Sequence, residues 1–149
     1  MPAFIIVGRI LFSVLFIVSG ASKLFDIAAT ADGIASKVVI PSALMGFTTQ
    51  LEGLTGMPTA HMLAIAVGVL ELVCGVFIAL NLGARFFSWV LAVFIVVATF
   101  SYHDFWNQAG LESTNNLIHA LKNLSLVGAL FIIAGIDRRP QTSEPAGGV

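Results

Sequence analysis

Val67–Leu80 reads VGVLELVCGVFIAL, apolar throughout except for one carboxylate, Glu71. The stretch belongs to a longer apolar run, about Met62 to Leu80. That run is long enough to cross about 30 Å of hydrocarbon, which takes roughly 20 helical residues. On a helix, positions 64, 68, 71 and 75 fall on one side. They read Ala64, Gly68, Glu71 and Gly75, with Cys74 adjacent. Small residues at that spacing let a second helix come close, so Glu71 is expected to point into a bundle and not at lipid. An unpaired carboxylate at mid-depth costs roughly 3 kcal/mol or more. Glu71 must therefore be paired, protonated or hydrated.

Composition extends this reading to the whole chain. Its 149 residues fit one domain. Hydrophobic residues make up 58% and charged residues 10%, where soluble domains carry about 25% charged. The mean hydropathy is +0.98. A soluble protein this small cannot hide so much apolar surface. Four stretches are long enough to span: about Phe4 to Leu24, Met62 to Leu80, Ala84 to Tyr102 and Leu117 to Ile136. None alternates strictly, and an open sheet leaves unpaired edges in lipid. The expected fold is an all-α bundle of four transmembrane helices. Residues 1–137 form the membrane domain, and 138–149 a polar, Pro- and Gly-containing tail expected to be mobile. The first span, in which Lys23 directly follows the small-residue stretch VSGAS, reads as a retained helix and not a cleaved signal.

The connections differ. Asn81 to Arg85, NLGAR, is a tight turn. His103 to Asn116 is a polar loop with Tyr102, Phe105 and Trp106 as interfacial anchors. Phe25 to His61 is only moderately polar, and Pro41 suits the start of a helix. One or two short helices lying at the interface are expected there, with Met45, Leu51 and Leu54 as an apolar face. Arg9, Arg85, Arg138 and Arg139 fall at one end of the bundle, and Lys23, Lys37 and Lys122 at the other. The positive-inside rule then places both termini in the cytoplasm.

With alternating spans, the polar residues gather at the lysine end. Ser19, Ser22, Lys23 and Asp26 share one face of the first span. His119, Lys122 and Asn123 share a face of the fourth, the third ends in His103 and Asp104, and His61 opens the second. Glu71 lies ten residues past His61, or ~15 Å along the axis. A lysine stem can reach down a helix by several Å. Lys122 or Lys23 is therefore the expected counter-charge. Such a pair can fix helix register or line a ligand pocket, since an intramembrane ionisable residue is a functional candidate by default.

Other chemistry is poorly supported. The three histidines show no HxxxH or HxxEH spacing, so no metal site is expected. A lone Cys74 forms no internal disulfide and reads as packing. The aromatic cluster of Phe100, Tyr102, Phe105 and Trp106 suits an interfacial belt, or the cradle of a quinone ring. Walker, Rossmann and Ser–His–Asp patterns are absent from the sequence. A net charge of −1 with no basic run excludes nucleic acid as a partner.

Arg9 to Phe25, RILFSVLFIVSGASKLF, resembles the first span of the DoxX family. Leu70 to Arg85, LELVCGVFIALNLGAR, is similar to its second span, glutamate included. His103 to Trp106, HDFW, followed by Asn116 to Gly135, NLIHALKNLSLVGALFIIAG, looks like its last segment with the Lys122-Asn123 pair. The segment from Pro41 to Met62 is longer than the family pattern. The resemblance implies a small four-helix protein of the bacterial inner membrane. Some relatives are implicated as subunits of quinone-linked oxidoreductases or in oxidative-stress systems. The expected role is an accessory or anchoring subunit without catalytic activity of its own, working with the bilayer, a redox-protein partner or further copies of itself. A quinone is the candidate cofactor. Glu71, Lys122, Lys23, Asn123, Ser19 and Ser22 would line its pocket, with His103 and His119 at the mouth. A small-solute permease and a purely structural scaffold are the alternatives.

Overall fold

A computed structural model describes residues 2–102 and 110–136. They form six helices: α1 (Ala3–Phe25), α2 (Ile27–Lys37), α3 (Ser42–Thr55), α4 (Thr59–Leu80), α5 (Ala84–Tyr102) and α6 (Gly110–Ile136). Four of them, α1, α4, α5 and α6, are long and apolar enough to cross a membrane. Large apolar side chains are exposed along each, such as Leu11 and Val18 on α1, Val93 on α5 and Ile132 on α6. In water such a surface would be a liability; in a bilayer it is the lipid contact.

Helix α1 packs along α4, α4 against α5, and α5 against α6. Among the described residues, α1 and α6 touch only marginally. The spans thus form a curved row with a seam between its first and last members. Side chains still meet behind the seam. Phe16 joins Cys74, Ile78, Leu91, Ile95 and Leu130 in one core.

Small residues set the tightest contact. A Cβ at Gly20 would lie 2.6 Å from the Gly68 carbonyl oxygen and 2.6 Å from the Leu72 amide nitrogen. A Cβ at Gly75 would come within 2.9 Å of Ile17. The small face read from Ala64, Gly68 and Gly75 is buried as expected, and α1 is the helix it admits. Gly20, the facing half of the contact, was not anticipated.

The connections follow local chemistry. Asp26 breaks α1 from α2, and its carboxylate accepts from the Ala29 amide at 3.0 Å, a side-chain N-cap. Helix α4 ends at Asn81, whose φ of 60° is a left-handed conformation that Asn tolerates well. At the other end of α4, the Glu52 carboxylate of α3 accepts from both the Thr59 amide (2.7 Å) and the Thr59 hydroxyl (2.6 Å). One side chain thus satisfies an otherwise orphaned amide of the first turn.

Three details depart from the sequence reading. Helix α6 begins seven residues before Leu117, because apolarity marks the hydrocarbon and not the helix, and its first two turns project beyond it. Its 27 residues make ~40 Å, more than the bilayer core. Helix α4 starts at Thr59 and not Met62, where Pro58 and Glu52 set its first turn. Helix α2 does not simply lie at the interface: Ala31 and Ile34 bury against Ala64 and half-buried Tyr102. Helix α3 has no buried residue and keeps Met45 and Leu54 exposed, as an interfacial helix would. The proposed tail and His103 to Trp106 lie outside the described residues.

Candidate functional site

Glu71 is the thirteenth residue of 22 in α4, halfway through the span. Its side chain is 8% exposed. Its partner is Lys23, the last-turn lysine of α1, with Nζ to Oε2 at 2.8 Å. The same ammonium donates to Ser19 Oγ at 2.6 Å, one turn earlier on α1. Close approach of α1 and α4 at Gly20 and Gly68 makes this reach possible. The carboxylate at mid-depth is thus matched by a cation anchored nearer the helix end, as snorkelling stems allow.

The pair opens onto a cavity of ≈ 540 Å³, within the range of small-molecule sites. Ser19 and Lys23 of α1, Glu71 of α4 and Asn123 of α6 line it. Thr30 of α2 and Ser101 and Tyr102 of α5 add further polar groups. The rest of the wall is apolar, including Phe16, Ile34, Phe94 and Leu126. Asn123 is held in place, because its amide donates to Thr99 Oγ1 at 2.9 Å while that hydroxyl donates to the Ile95 carbonyl. Thr30 Oγ1 likewise donates to the Asp26 carbonyl at 2.8 Å. Helix α2 forms one wall of the cavity through Thr30 and Ile34.

The expected site residues divide. Glu71, Lys23, Ser19 and Asn123 come together around the cavity. Lys122 is exposed on α6 and does not line it, so Lys23 and not Lys122 is the partner of Glu71. The cause is register: Asn123 takes the inward face of α6, and its neighbour in sequence turns ~100° away at 3.6 residues per turn. Ser22 is exposed and donates to the Val18 carbonyl of its own helix. His119 is exposed on α6 and outside the cavity wall. His61 is half-buried at the start of α4, also outside it. His103 lies outside the described residues.

Thr30 and Ser101 were missed. The Asp26 cap followed by a small apolar repeat signals α2 and hence Thr30. No pattern in the sequence singles out Ser101. A second polar contact was missed at the opposite end. There Arg9, buried in α1, donates from Nη1 to Asn81 Oδ1 at 2.6 Å. A second cavity of ≈ 370 Å³ adjoins it, walled by Phe12 and by Ile132 and Ile133 of α6.

The DoxX family model matches residues 4–104. The Inner membrane protein YphA of Escherichia coli (strain K12) is 26% identical over 151 residues, spanning 93% of this chain and 91% of that relative. No solved structure matches the chain.

Proposed function

The chain belongs to the DoxX family, and from that premise we propose that it is an inner-membrane accessory or anchoring subunit that holds a quinone head group for a redox partner. The relative named as an inner membrane protein supports the location. The arginine end lies in the cytoplasm with both termini, by the positive-inside rule. The cavity then sits in the outer half of the bilayer.

One observation carries the ligand class. The cavity is mostly apolar, yet a complete ion pair faces it. Lys23 and Glu71 cancel in charge, so the site favours a neutral head with hydrogen-bond acceptors over an ionised solute. A quinone offers two carbonyl oxygens on an apolar ring. Lys23 is a donor for one of them, while the Asn123 amide and Tyr102 hydroxyl are the nearest candidates for the other. A bound quinol would supply two-electron, two-proton redox chemistry. Glu71 would be the acceptor for one of its two protons once the bond to Lys23 loosens, the second proton leaving to outside water and both electrons going to the partner oxidoreductase. The chain itself supplies position and a proton acceptor, not a redox centre.

A structural reading also has an observation in its favour, since the 2.8 Å pair bridges α1 and α4 directly. Glu71→Gln separates the two, because it keeps the shape and removes the charge. The quinone reading expects normal protein levels in the membrane with quinone-dependent electron transfer reduced at least tenfold. Collapse of protein levels supports the scaffold instead. A small-solute permease would give uptake into liposomes by the purified protein alone.

A further inference from the structure

The two cavities lie one below the other in the same seam. Leu15, Phe16, Ser19 and Lys23 of α1 wall the upper one, and Phe4 to Phe12 of the same helix wall the lower. On α6 the wall passes from Asn123 and Leu126 above to Ala129 and Ile132 below, without a gap of more than one turn. Phe12 and Phe16 mark the step between them, their ring centroids 5.2 Å apart. From Lys23 to Gly8 is fifteen residues of α1, or ~22 Å. The helices flanking this path, α1 and α6, come into little direct contact with each other. At the lysine end, α2 packs across α4 and Tyr102 and contributes Thr30 and Ile34 to the wall.

We infer that the two cavities are one slot for a long-chain amphiphile, which slides in sideways from the bilayer through the α1–α6 seam. This rests on the quinone reading of the upper cavity and adds the chain. The ring sits at Lys23 and Glu71. The hydrocarbon chain passes the Phe12–Phe16 step and ends between Gly8 and Ile132. The upper cavity has polar groups for a head, whereas the lower one is apolar along its α6 wall from Ala129 to Ile136. A chain longer than the upper cavity has an apolar path to follow. A lipid-soluble molecule already in the bilayer meets the seam directly, whereas a head group without a chain leaves the lower cavity unfilled. Selection is therefore for a lipid-soluble molecule and against a water-soluble one with the same head.

The test uses the full chain in nanodiscs and two photoreactive benzoquinones. One carries the reactive group on the ring, and the other at the end of an alkyl chain long enough to cover the ~22 Å path. Ring labelling is expected near Ser19 and Tyr102, and chain-end labelling near Gly8 and Ile132. A substitution gives an independent measure. Gly8 lines the lower cavity and a Cβ there meets nothing within 4 Å, so Gly8→Phe is the substitution chosen to obstruct it. It should weaken binding of the long-chain quinone at least fivefold and leave the chainless quinone within twofold. Chain-end labels on lipid-facing Leu11 and Val18, or equal binding of the long-chain quinone by Gly8→Phe and wild type, overturn the slot while leaving the head-group site standing. Absence of ring labelling at the upper cavity overturns both.

Discussion

Glu71 is a carboxylate whose surroundings were built for it. Gly20 and Gly68 bring α1 close enough for Lys23 to reach it, and Ser19 takes another of the ammonium's bonds. Lys23→Met leaves that carboxylate facing the cavity without its cation. Loss of a hydrogen bond between charged groups costs about 1.5–3 kcal/mol, so thermal unfolding in detergent should fall measurably. The double variant with Glu71→Gln should recover part of the loss, because no unpaired charge remains. Gly20→Val is the control for packing. Its side chain must displace backbone atoms of α4, and overpacking of this kind costs about 1–3 kcal/mol. Gly128→Val, where a Cβ meets nothing within 4 Å, should fold as the wild type by the same melt. The inward face of Glu71 was legible from Ala64, Gly68 and Gly75. The identity of its partner was not. Two lysines, Lys23 and Lys122, stood at the same end of the bundle, and only helix rotation decides which one turns inward.

Bonds that spacing alone does not reveal tie α1 to the α4–α5 turn and α3 to the start of α4. Arg9 and Asn81 are 72 residues apart in sequence yet pin α1 to the α4–α5 turn. Asn81 also carries a left-handed backbone. Asn81→Gly keeps that conformation and removes the acceptor, whereas Asn81→Ala adds a conformational cost of about 1–2 kcal/mol. Unfolding midpoints should fall in the order wild type, Asn81→Gly, Asn81→Ala; equal values for the two variants would deny the backbone contribution. Helix α3 is fastened to the start of α4 through the Glu52 carboxylate, which accepts from the Thr59 amide and hydroxyl. The Thr59 hydroxyl and amide hold the Glu52 carboxyl below its ordinary value of 4.5. A depressed folded value means that this tether is fully present above about pH 4.5 and is lost as pH falls through the lower folded value. Hydrogen exchange at the Thr59 amide should therefore speed up, beyond its intrinsic pH dependence, as pH drops below 4.5. Glu52→Gln should remove that extra change. The spans themselves were plain from hydropathy. Helix α2 was less so, because Ala31 and Ile34 give it an apolar stripe too short to distinguish burial against α4 from rest at the interface.

At the scale of the whole molecule, four apolar spans and a family match describe a membrane protein whose polar groups are gathered at two ends of one seam. The row of helices leaves α1 and α6 apart, and that gap was not legible in sequence. Contact between the first and last spans depends on how three crossings accumulate, and no local pattern encodes their sum. The charge-neutral upper cavity is the feature on which the functional account turns. The most direct measurement of it is equilibrium binding of an alkyl benzoquinone to the purified protein in nanodiscs, with wild type and Glu71→Gln compared at equal folded fraction. Saturable binding by wild type, weakened at least tenfold (about 1.4 kcal/mol) in Glu71→Gln, is the predicted result. Equal binding by the two proteins, or none by the wild type, would contradict a quinone site at Glu71 and Lys23.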